Sequence, residues 1–241
     1  MRIPRFYIAE PLQLHQQLSL PAIIHRHAIQ VLRLQQGASL ILFNGQGGEY
    51  QCQIQIAEKR KSRVLIQNFY AVERESSINI TLLQSLIKPD KMDFCIQKSV
   101  ELGVNTIQPL ITERSVVRIR AAQLEKKIQR WQGIIYAACE QSGRTKIPAI
   151  HAPITLSHYL QQSTNSQRFM MLPEAHTKLS MQTTLNNPEL LVGPEGGFTT
   201  QETNQCAEYG VQAVQFGTRI LRAETAAIAG VSVLQAYSGN L

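Results

Sequence analysis

The chain has 241 residues, of which 44% are hydrophobic and 17% charged, and its formal net charge is +7. This length is enough for one large domain or two small ones, and the composition is that of an ordinary globular protein. No apolar run approaches the roughly 18 uncharged residues that cross a bilayer. The first residues, MRIPR, lack the apolar stretch of a secretory signal. The sequence therefore argues against a membrane-spanning or secreted protein, and we expect it in the cytoplasm.

Positive charge is concentrated in the first two thirds of the chain. Residues 1–150 carry 20 Lys and Arg against 11 Asp and Glu, whereas residues 151–241 carry 4 against 6. A basic front part is typical of proteins that contact a polyanion, and the slightly acidic rear part indicates different chemistry there. Basic residues that only keep a protein in solution would give the same count, so both interpretations stay open on charge alone.

The cysteines do not form a metal-binding pattern. Zinc ligands cluster at short spacings, and no C-x-x-C pair is present. Cys95 and Cys139 recur among apolar residues at helical spacing, which is typical of buried free thiols. We therefore expect neither a metal site nor a disulfide from the four cysteines, which are Cys52, Cys95, Cys139 and Cys206.

The first 72 residues are rich in predicted strands. Residues 40–43 lead into a glycine turn, which is followed by the alternating residues 50–56 and, after a basic turn, by residues 64–66. Alternation around glycine turns predicts β-hairpins. One short helix is predicted at 25–34, with Gly37 just past its end. We predict a small β-barrel domain over residues 1–72.

Residues 72–77 are polar and have no apolar period, so the domain boundary is predicted there. Beyond it, predicted strands alternate with predicted helices, which is typical of a mostly parallel sheet covered on both faces. Trp131 lies on the apolar face of the longest helix and is expected in the core. The strands are predicted at 78–87, 106–111, 169–172, 190–192 and 211–216, and the helices at 90–102, 121–141 and 222–237. We predict an α/β domain over residues 73–241.

Three unusual loops follow short predicted strands, at residues 171–175 (MLPEA), 193–198 (GPEGGF) and 217–225 (GTRILRAET). Ligands of open α/β sheets bind beyond the carboxyl ends of the strands, where these loops lie. The glycines of 193–198 allow the backbone to approach a flat ligand closely, although a plain structural turn has the same composition. No P-loop and no G-x-G-x-x-G is present. Thr199 or Thr200 is predicted to cap a helix, with Glu202 completing a capping box.

Charged residues of the third loop point to an anion. Glu224 is favoured by the positive field at the start of a helix, whereas Arg219 and Arg222 are placed against that field. Arginines in such a position are best explained by a bound anion or by an anionic transition state.

Other basic residues are candidates for contacts with nucleic-acid phosphates, which need several cations on one face. The alternative is that each of them is simply solvated. His25 and His27 lie on the short polar helix and are expected at the surface. The predicted phosphate-contacting residues are Arg2, Arg5, Arg33, Lys59, Arg60, Arg63, Arg114 and Arg144.

Together these segments resemble the bacterial 16S ribosomal-RNA uridine-N3 methyltransferases, the RsmE family of the SPOUT class. The resemblance covers nearly the whole chain, and its motifs occur in the same order throughout. They are MRIPRFY at 1–7, His27 with VLRL at 31–34, KMDFCIQKSVELG at 91–103, EQSGR at 140–144, LVGPEGGF at 191–198 and GTRILRAETA at 217–226.

The resemblance implies a PUA-like RNA-binding barrel in the first domain and a SPOUT-type parallel sheet with a deep trefoil knot in the second. It implies S-adenosyl-L-methionine as cofactor, no metal, a homodimer, and 16S ribosomal RNA in the small subunit as substrate. The family's target is uridine 1498. The implied cofactor-binding residues are Leu172, Pro173, Gly193, Pro194, Glu195, Gly196, Gly197, Phe216, Gly217, Ile220, Leu221 and Thr225.

Two residues are assigned to the chemistry. Methylation of uridine N3 requires loss of its proton, and the resulting negative charge spreads onto the neighbouring carbonyl oxygens. We predict that Arg222 stabilises this charge, by the logic of an oxyanion hole. Glu224 is a candidate base, although its place at a helix start weakens it in that role. Two alternatives remain at this stage: methylation of another ribosomal or transfer-RNA base, and a non-catalytic RNA-binding ribosome assembly factor.

Overall fold

The computed structural model describes residues 3–162, 164–177 and 184–241. These residues form two compact units. One comprises the described residues up to Glu75 together with Cys139–Ile147, and the other comprises Ser76–Ala138 together with Pro148–Leu241. Within the described ranges, no helix is long and apolar enough to cross a membrane.

The first unit is built on a five-stranded sheet. Its strands are β1 (Arg5–Tyr7), β2 (Gln17–Ser19), β3 (Ser39–Phe43), β4 (Glu49–Ala57) and β5 (Ser62–Tyr70), in the order β1-β3-β4-β5-β2. Only β1 and β3 pair in parallel. Alternate residues such as Leu40, Leu42 and Ile54 are buried in its core, because successive side chains of a strand point to opposite faces. The predicted β-rich unit is confirmed. Strands β1 and β2 were not predicted, because three residues are too few to show an alternating pattern.

The helix of this unit differs from the prediction. An α-helix, α1 (Ala22–His25), runs directly into a π-helical segment, Arg26–Val31. The segment ends early because Arg33 has a left-handed backbone, with φ 55°. The expectation that His25 lies at the surface is wrong, since its Nδ1 lies 2.8 Å from Ser62 Oγ and the residue is buried. Its polar ring links the helix to the start of β5.

A buried ionic network holds Cys139–Ile147 in the first unit. Arg5 pairs with Glu49, and its Nη2 donates to the carbonyl oxygens of Gly143 (3.1 Å) and Arg144 (3.0 Å). The Nε of Arg144 donates to Glu75 Oε2 at 2.9 Å. Arg5 and Arg144 were predicted to contact phosphates; both are buried with carboxylate partners in this structure, and the phosphate contacts stay a prediction that this burial does not support. Removal of one partner from such a buried pair leaves an uncompensated charge.

The second unit contains a parallel sheet, as predicted. Its order is β12-β10-β11-β6-β7-β8, with β9 also pairing with β7, and every pairing is parallel. Consecutive residues are fully buried, for example Leu82 with Leu83 and Leu190 with Leu191, so both faces of the sheet are covered. The strands are β6 (Thr81–Ser85), β7 (Thr106–Ile111), β8 (Ala149–Ile150), β9 (Ile154–Thr155), β10 (Arg168–Met171), β11 (Glu189–Val192) and β12 (Gln212–Val214).

Most predicted helices of this part are confirmed. The helices are α2 (Pro89–Glu101), α3 (Ala121–Ser142), α4 (Leu156–Leu160), α5 (Thr200–Glu208) and α6 (Ala223–Tyr237), and the last four residues of α3 belong to the first unit. The predicted capping box is present: Thr199 Oγ1 accepts from the Glu202 N–H at 3.2 Å, and Glu202 Oε2 accepts from the Thr199 N–H at 2.9 Å. The short elements β8, β9 and α4 were not predicted. The trefoil knot stays a prediction.

The four cysteines are free and buried, which confirms the prediction of buried free thiols for Cys95 and Cys139. Burial raises the pKa of each thiol to about 12. Since the thiolate is the reactive form, all four thiols are unreactive and contribute only to packing. Trp131 is fully buried, also as predicted.

Helix α6 packs against the sheet at a glycine. A Cβ atom on Gly230 would lie 2.6 Å from Leu190 Cδ2 and 2.9 Å from Met171 Sδ, whereas one on Gly133 of α3 would meet no atom within 4 Å. The approach of α6 to β10 and β11 therefore depends on the missing side chain.

We expect Gly230→Val to lower the free energy of unfolding by about 1–3 kcal/mol, because the added methyl groups must displace buried side chains. Gly133→Val, a matched helical glycine, is expected to change it by no more than about 0.5 kcal/mol. Denaturant unfolding of both variants checks this. Equal effects at the two positions would contradict the role assigned to Gly230.

Candidate active site

A cavity of about 620 Å³ lies at the carboxyl ends of the parallel strands of the second unit. The loops that follow β10, β11 and β12 meet there, because β10 pairs in parallel with both β11 and β12 and all three strands end at the same edge. The volume is that of a typical small-molecule site. The three loops singled out by sequence therefore surround one cavity.

Eleven of the twelve predicted cofactor-binding residues line this cavity. The exception is Thr225, which lies in the first turn of α6 with its side chain exposed. That this set binds a cofactor stays a prediction. The eleven are Leu172, Pro173, Gly193, Pro194, Glu195, Gly196, Gly197, Phe216, Gly217, Ile220 and Leu221.

Glycines shape the walls of the cavity. A Cβ atom on Gly193 would lie 3.1 Å from the ring of Phe198, so a larger residue there would require the ring to shift. Gly197 and Gly217 have positive φ angles of 67° and 90°, which other residues adopt only with strain. Backbone N–H and C=O groups are thereby exposed to the cavity beside apolar side chains, and such a surface suits a flat, partly polar ligand.

Arg114 braces the glycine loop from the side. Its Nη1 donates to the carbonyl oxygens of Gly196 (2.9 Å) and Phe198 (3.3 Å). The preceding residue is held as well, since the Glu113 N–H donates to Glu202 Oε1 at 2.9 Å. The segment after β7 is thereby joined to both the loop after β11 and the start of α5. The sequence indicated only a phosphate contact for Arg114, and that role stays a prediction.

Charged side chains face the cavity from α2 and α6. Arg222 is the N-cap residue of α6 and is exposed, whereas Glu224 is buried two residues later. Lys91, in the first turn of α2, places its Nζ 3.3 Å from Glu224 Oε1. Both predicted catalytic residues therefore line the cavity, and Lys91 lines it with them.

Lys91 was not among the predicted site residues, although a signal for it existed. Helix α2 begins four residues after the end of β6, and β6 pairs in parallel with β11. The first turn of α2 therefore starts at the same sheet edge as the three loops. Lysine in that turn also opposes the positive field of the helix start, as Arg222 does at the N-cap of α6.

The remaining predicted phosphate contacts lie in the first unit or outside the described residues. Lys59 and Arg60 are exposed in the turn between β4 and β5, and Arg63 is half-buried just beyond them. Arg33 is exposed after the π-helical segment. Arg2 lies outside the described residues. The exposed basic turn is thus open to a polyanion, and its binding of RNA stays a prediction.

Two family models match the chain. Residues 74–235 match a model described as an RNA methyltransferase domain, and residues 26–67 match one described as an RNA methyltransferase PUA domain. The PUA match ends at residue 67 and the methyltransferase match begins at residue 74, and the sequence changes from the β-rich pattern to the α/β pattern in the same region.

Individual relatives are similar over the full length. A ribosomal RNA small subunit methyltransferase E of Buchnera aphidicola (from Schizaphis graminum) is 34% identical, covering 100% of this chain and 98% of its own. A crystal structure of the protein of that name from Neisseria gonorrhoeae, bound to S-adenosyl methionine, is 39% identical with a TM-score of 0.91, covering 98% of each chain. A methyltransferase of Legionella pneumophila in complex with the same cofactor is 37% identical with a TM-score of 0.92, again over 98% of each chain.

We expect Arg114→Met to increase hydrogen exchange of the amides in residues 193–198, because the two hydrogen bonds to the loop carbonyls are lost. The exposed Arg118→Met is the matched control and should leave that exchange unchanged. Exchange mass spectrometry of the peptide over 193–198 checks this. Unaltered protection in Arg114→Met would show that the loop is held without Arg114.

Proposed function

The chain belongs to the RNA methyltransferase family, within the group of the ribosomal RNA small subunit methyltransferases E, and we propose that it methylates N3 of one uridine in 16S ribosomal RNA. The position proposed is uridine 1498, and the methyl donor is S-adenosyl-L-methionine. The observation that carries this proposal is the cavity at the sheet edge, where Arg222 and Glu224 face a pocket walled by glycine-rich loops.

The residues present fit S-adenosyl-L-methionine. The backbone of Gly193, Gly197 and Gly217 would hold its polar groups, and Leu172 and Phe216 would cover its adenine. Bound there, the cofactor supplies a methyl group on a positively charged sulfur. A glycine-walled pocket with apolar side chains beside polar groups is the kind of surface that such a ligand needs.

Arg222 would stabilise the charge that develops on the base. Uridine N3 carries a proton and is a poor nucleophile until the proton leaves. The negative charge then spreads over the carbonyl oxygens on either side of N3, where a fixed guanidinium group has the most effect. Arg222 suits this role because it caps the start of α6 at the mouth of the cavity without an ion-pair partner among the described residues.

Glu224 would accept the N3 proton. Its carboxylate is buried, lines the cavity and has a cation beside it in Lys91. The braced glycine loop and the rigid sheet edge would contribute the rest by holding both substrates in reactive geometry.

The first unit would supply sequence-independent affinity for RNA. Lys59 and Arg60 lie in one exposed turn and Arg63 follows at the start of β5, so several phosphates could be contacted together. We further propose that the protein acts as a homodimer, in the cytoplasm where its ribosomal substrate is found. The first domain is proposed to end near residue 72, in agreement with the two family matches.

The function is tested by methyl transfer from labelled S-adenosyl-L-methionine to small ribosomal subunits from a strain that lacks this gene. We expect 3-methyluridine at a single site, identified by mass spectrometry of the digested RNA. Transfer to a different base would refute the proposed target. Bound cofactor without any transfer to ribosomal or transfer RNA would refute the enzyme and support an assembly factor.

We expect Arg222→Ala to lower kcat about 10²–10³-fold while cofactor affinity changes little, because the guanidinium acts on charge that appears only in the transition state. Arg130→Ala, an exposed arginine of α3 paired with Asp93, is the control and should keep the wild-type rate. Single-turnover methylation and calorimetry of cofactor binding separate the two effects. A full rate in Arg222→Ala would remove this residue from the mechanism.

We expect Lys59→Gln with Arg60→Gln to weaken RNA binding and to reduce the slope of log K against log salt by about one to two, since up to two phosphate contacts are lost. Lys98→Gln is the control, because Lys98 already pairs with Glu101 on α2. Fluorescence anisotropy over a range of salt concentrations measures the slope. A slope equal to that of the wild type would exclude the basic turn from the RNA interface.

A further inference from the structure

Lys91 and Glu224 form an ion pair inside the cavity. Lys91 Nζ lies 3.3 Å from Glu224 Oε1, and the two side chains come from different helices that both begin at the carboxyl edge of the sheet. The lysine side chain is 40% exposed and that of the glutamate 9% exposed. The ammonium group is therefore at the surface of the cavity, while the carboxylate lies deeper.

Lys91 is the counter-ion of Glu224. Across the described ranges, its ion pair with Lys91 is the only one that Glu224 makes. The neighbouring Cys95 is buried and supplies no positive charge, because a cysteine side chain is either a neutral thiol or a negative thiolate. A buried carboxylate without a cation is costly, so Lys91 compensates the carboxylate of Glu224 where it lies.

The charged groups of Lys91, Glu224 and Arg222 are complementary to the edge of uracil that includes N3. Uracil presents a carbonyl oxygen, an N3–H donor and a second carbonyl oxygen along the edge that includes N3. A carboxylate is an acceptor only, and ammonium and guanidinium groups are donors only. Lys91, Glu224 and Arg222 therefore offer donor, acceptor and donor. Cytosine has an acceptor at N3 and an amino donor beside it, so Glu224 would face a lone pair and Lys91 an amino group.

We propose that Lys91 positions Glu224 against uracil N3–H and donates to an adjacent carbonyl oxygen, so that Lys91, Glu224 and Arg222 select uracil over cytosine. This inference rests on the proposed function and adds to it the residue set that recognises the base. Lys91 contacts the substrate when it donates to the carbonyl oxygen. It acts through Glu224 when it positions that carboxylate.

The arrangement also balances charge as the proton moves. The N3–H bond breaks, its electron pair stays on the ring, and the proton binds a Glu224 oxygen. Negative charge thereby passes from the carboxylate to the uracil carbonyl oxygens. Lys91 is beside both groups, so its ammonium can stabilise the charge before and after the transfer. Once the base is methylated, Glu224 returns its proton to water.

Four variants test the proposal in the full-length protein: Lys91→Met, Lys91→Arg, Glu224→Gln and the control Lys98→Met, which removes another ion-paired lysine of α2. The substrates are two RNAs that differ only by uridine or cytidine at the target position. Cofactor affinity by calorimetry and thermal unfolding establish that each variant is folded. Methyl transfer and RNA affinity are then measured separately, the affinity with S-adenosylhomocysteine present so that no transfer takes place.

We expect Lys91→Met to lower kcat/KM on the uridine RNA about 100-fold, within the range of a lost proton-transfer group. It should also remove most of the preference for uridine over cytidine in the binding assay. Lys91→Arg is expected to restore much of both, because it keeps a donor cation, and Lys98→Met to leave both unchanged. Adding Lys91→Met to Glu224→Gln should lower the rate much less than in the wild-type background.

Two results would overturn the proposal. One is a wild-type rate in folded Lys91→Met. The other is a loss of affinity that is equal for the uridine and cytidine RNAs, which would make Lys91 a general phosphate contact. Failure of the proposed function is distinguishable from both, because the wild-type protein itself would then form no 3-methyluridine.

Discussion

Parallel pairing of β10 with both β11 and β12 is the constraint on which the site depends. Strands that run in the same direction end at the same edge, so the loops that leave them must converge. β6 also pairs in parallel with β11, so the start of α2, which follows β6, lies at that edge. Segments from parts of the chain that are distant in sequence thus face one cavity.

Close packing and hydrogen bonds join the elements of this edge. Gly230 allows α6 to approach β10 and β11, and Arg114 joins the segment after β7 to the glycine loop. Glu202 adds a second connection, because its carboxylate accepts from both Thr199 and Glu113. The groups that would carry chemistry therefore project from helix starts and braced loops, where orientation costs little when a substrate binds.

Cations in the two units have different uses. In the first unit, Arg5 and Arg144 are buried with carboxylates and hold the returning segment Cys139–Ile147, whereas Lys59 and Arg60 remain exposed. In the second unit, Lys91 lies at the start of a helix, against the local field and beside Glu224. Residue type alone does not distinguish a structural arginine from a ligand-binding one, because both need an anion as partner. Which anion lies near each arginine is decided by the tertiary structure.

Local sequence features determined much of the secondary structure and marked the loops of the cavity. Periodicity predicted most of the long strands and helices, the Thr199–Glu202 capping box followed from four residues, and the glycine loops marked the cavity because glycine conformations are a property of the residue itself. Only the tertiary structure decided the burial of Arg5, Arg144 and His25 and the pairing of Lys91 with Glu224. These depend on contacts between residues far apart in the chain, for which a hydrophobic pattern carries no signal. The two-residue strands β8 and β9 were also not predicted, because pairing with a neighbouring strand rather than their own sequence makes them strands.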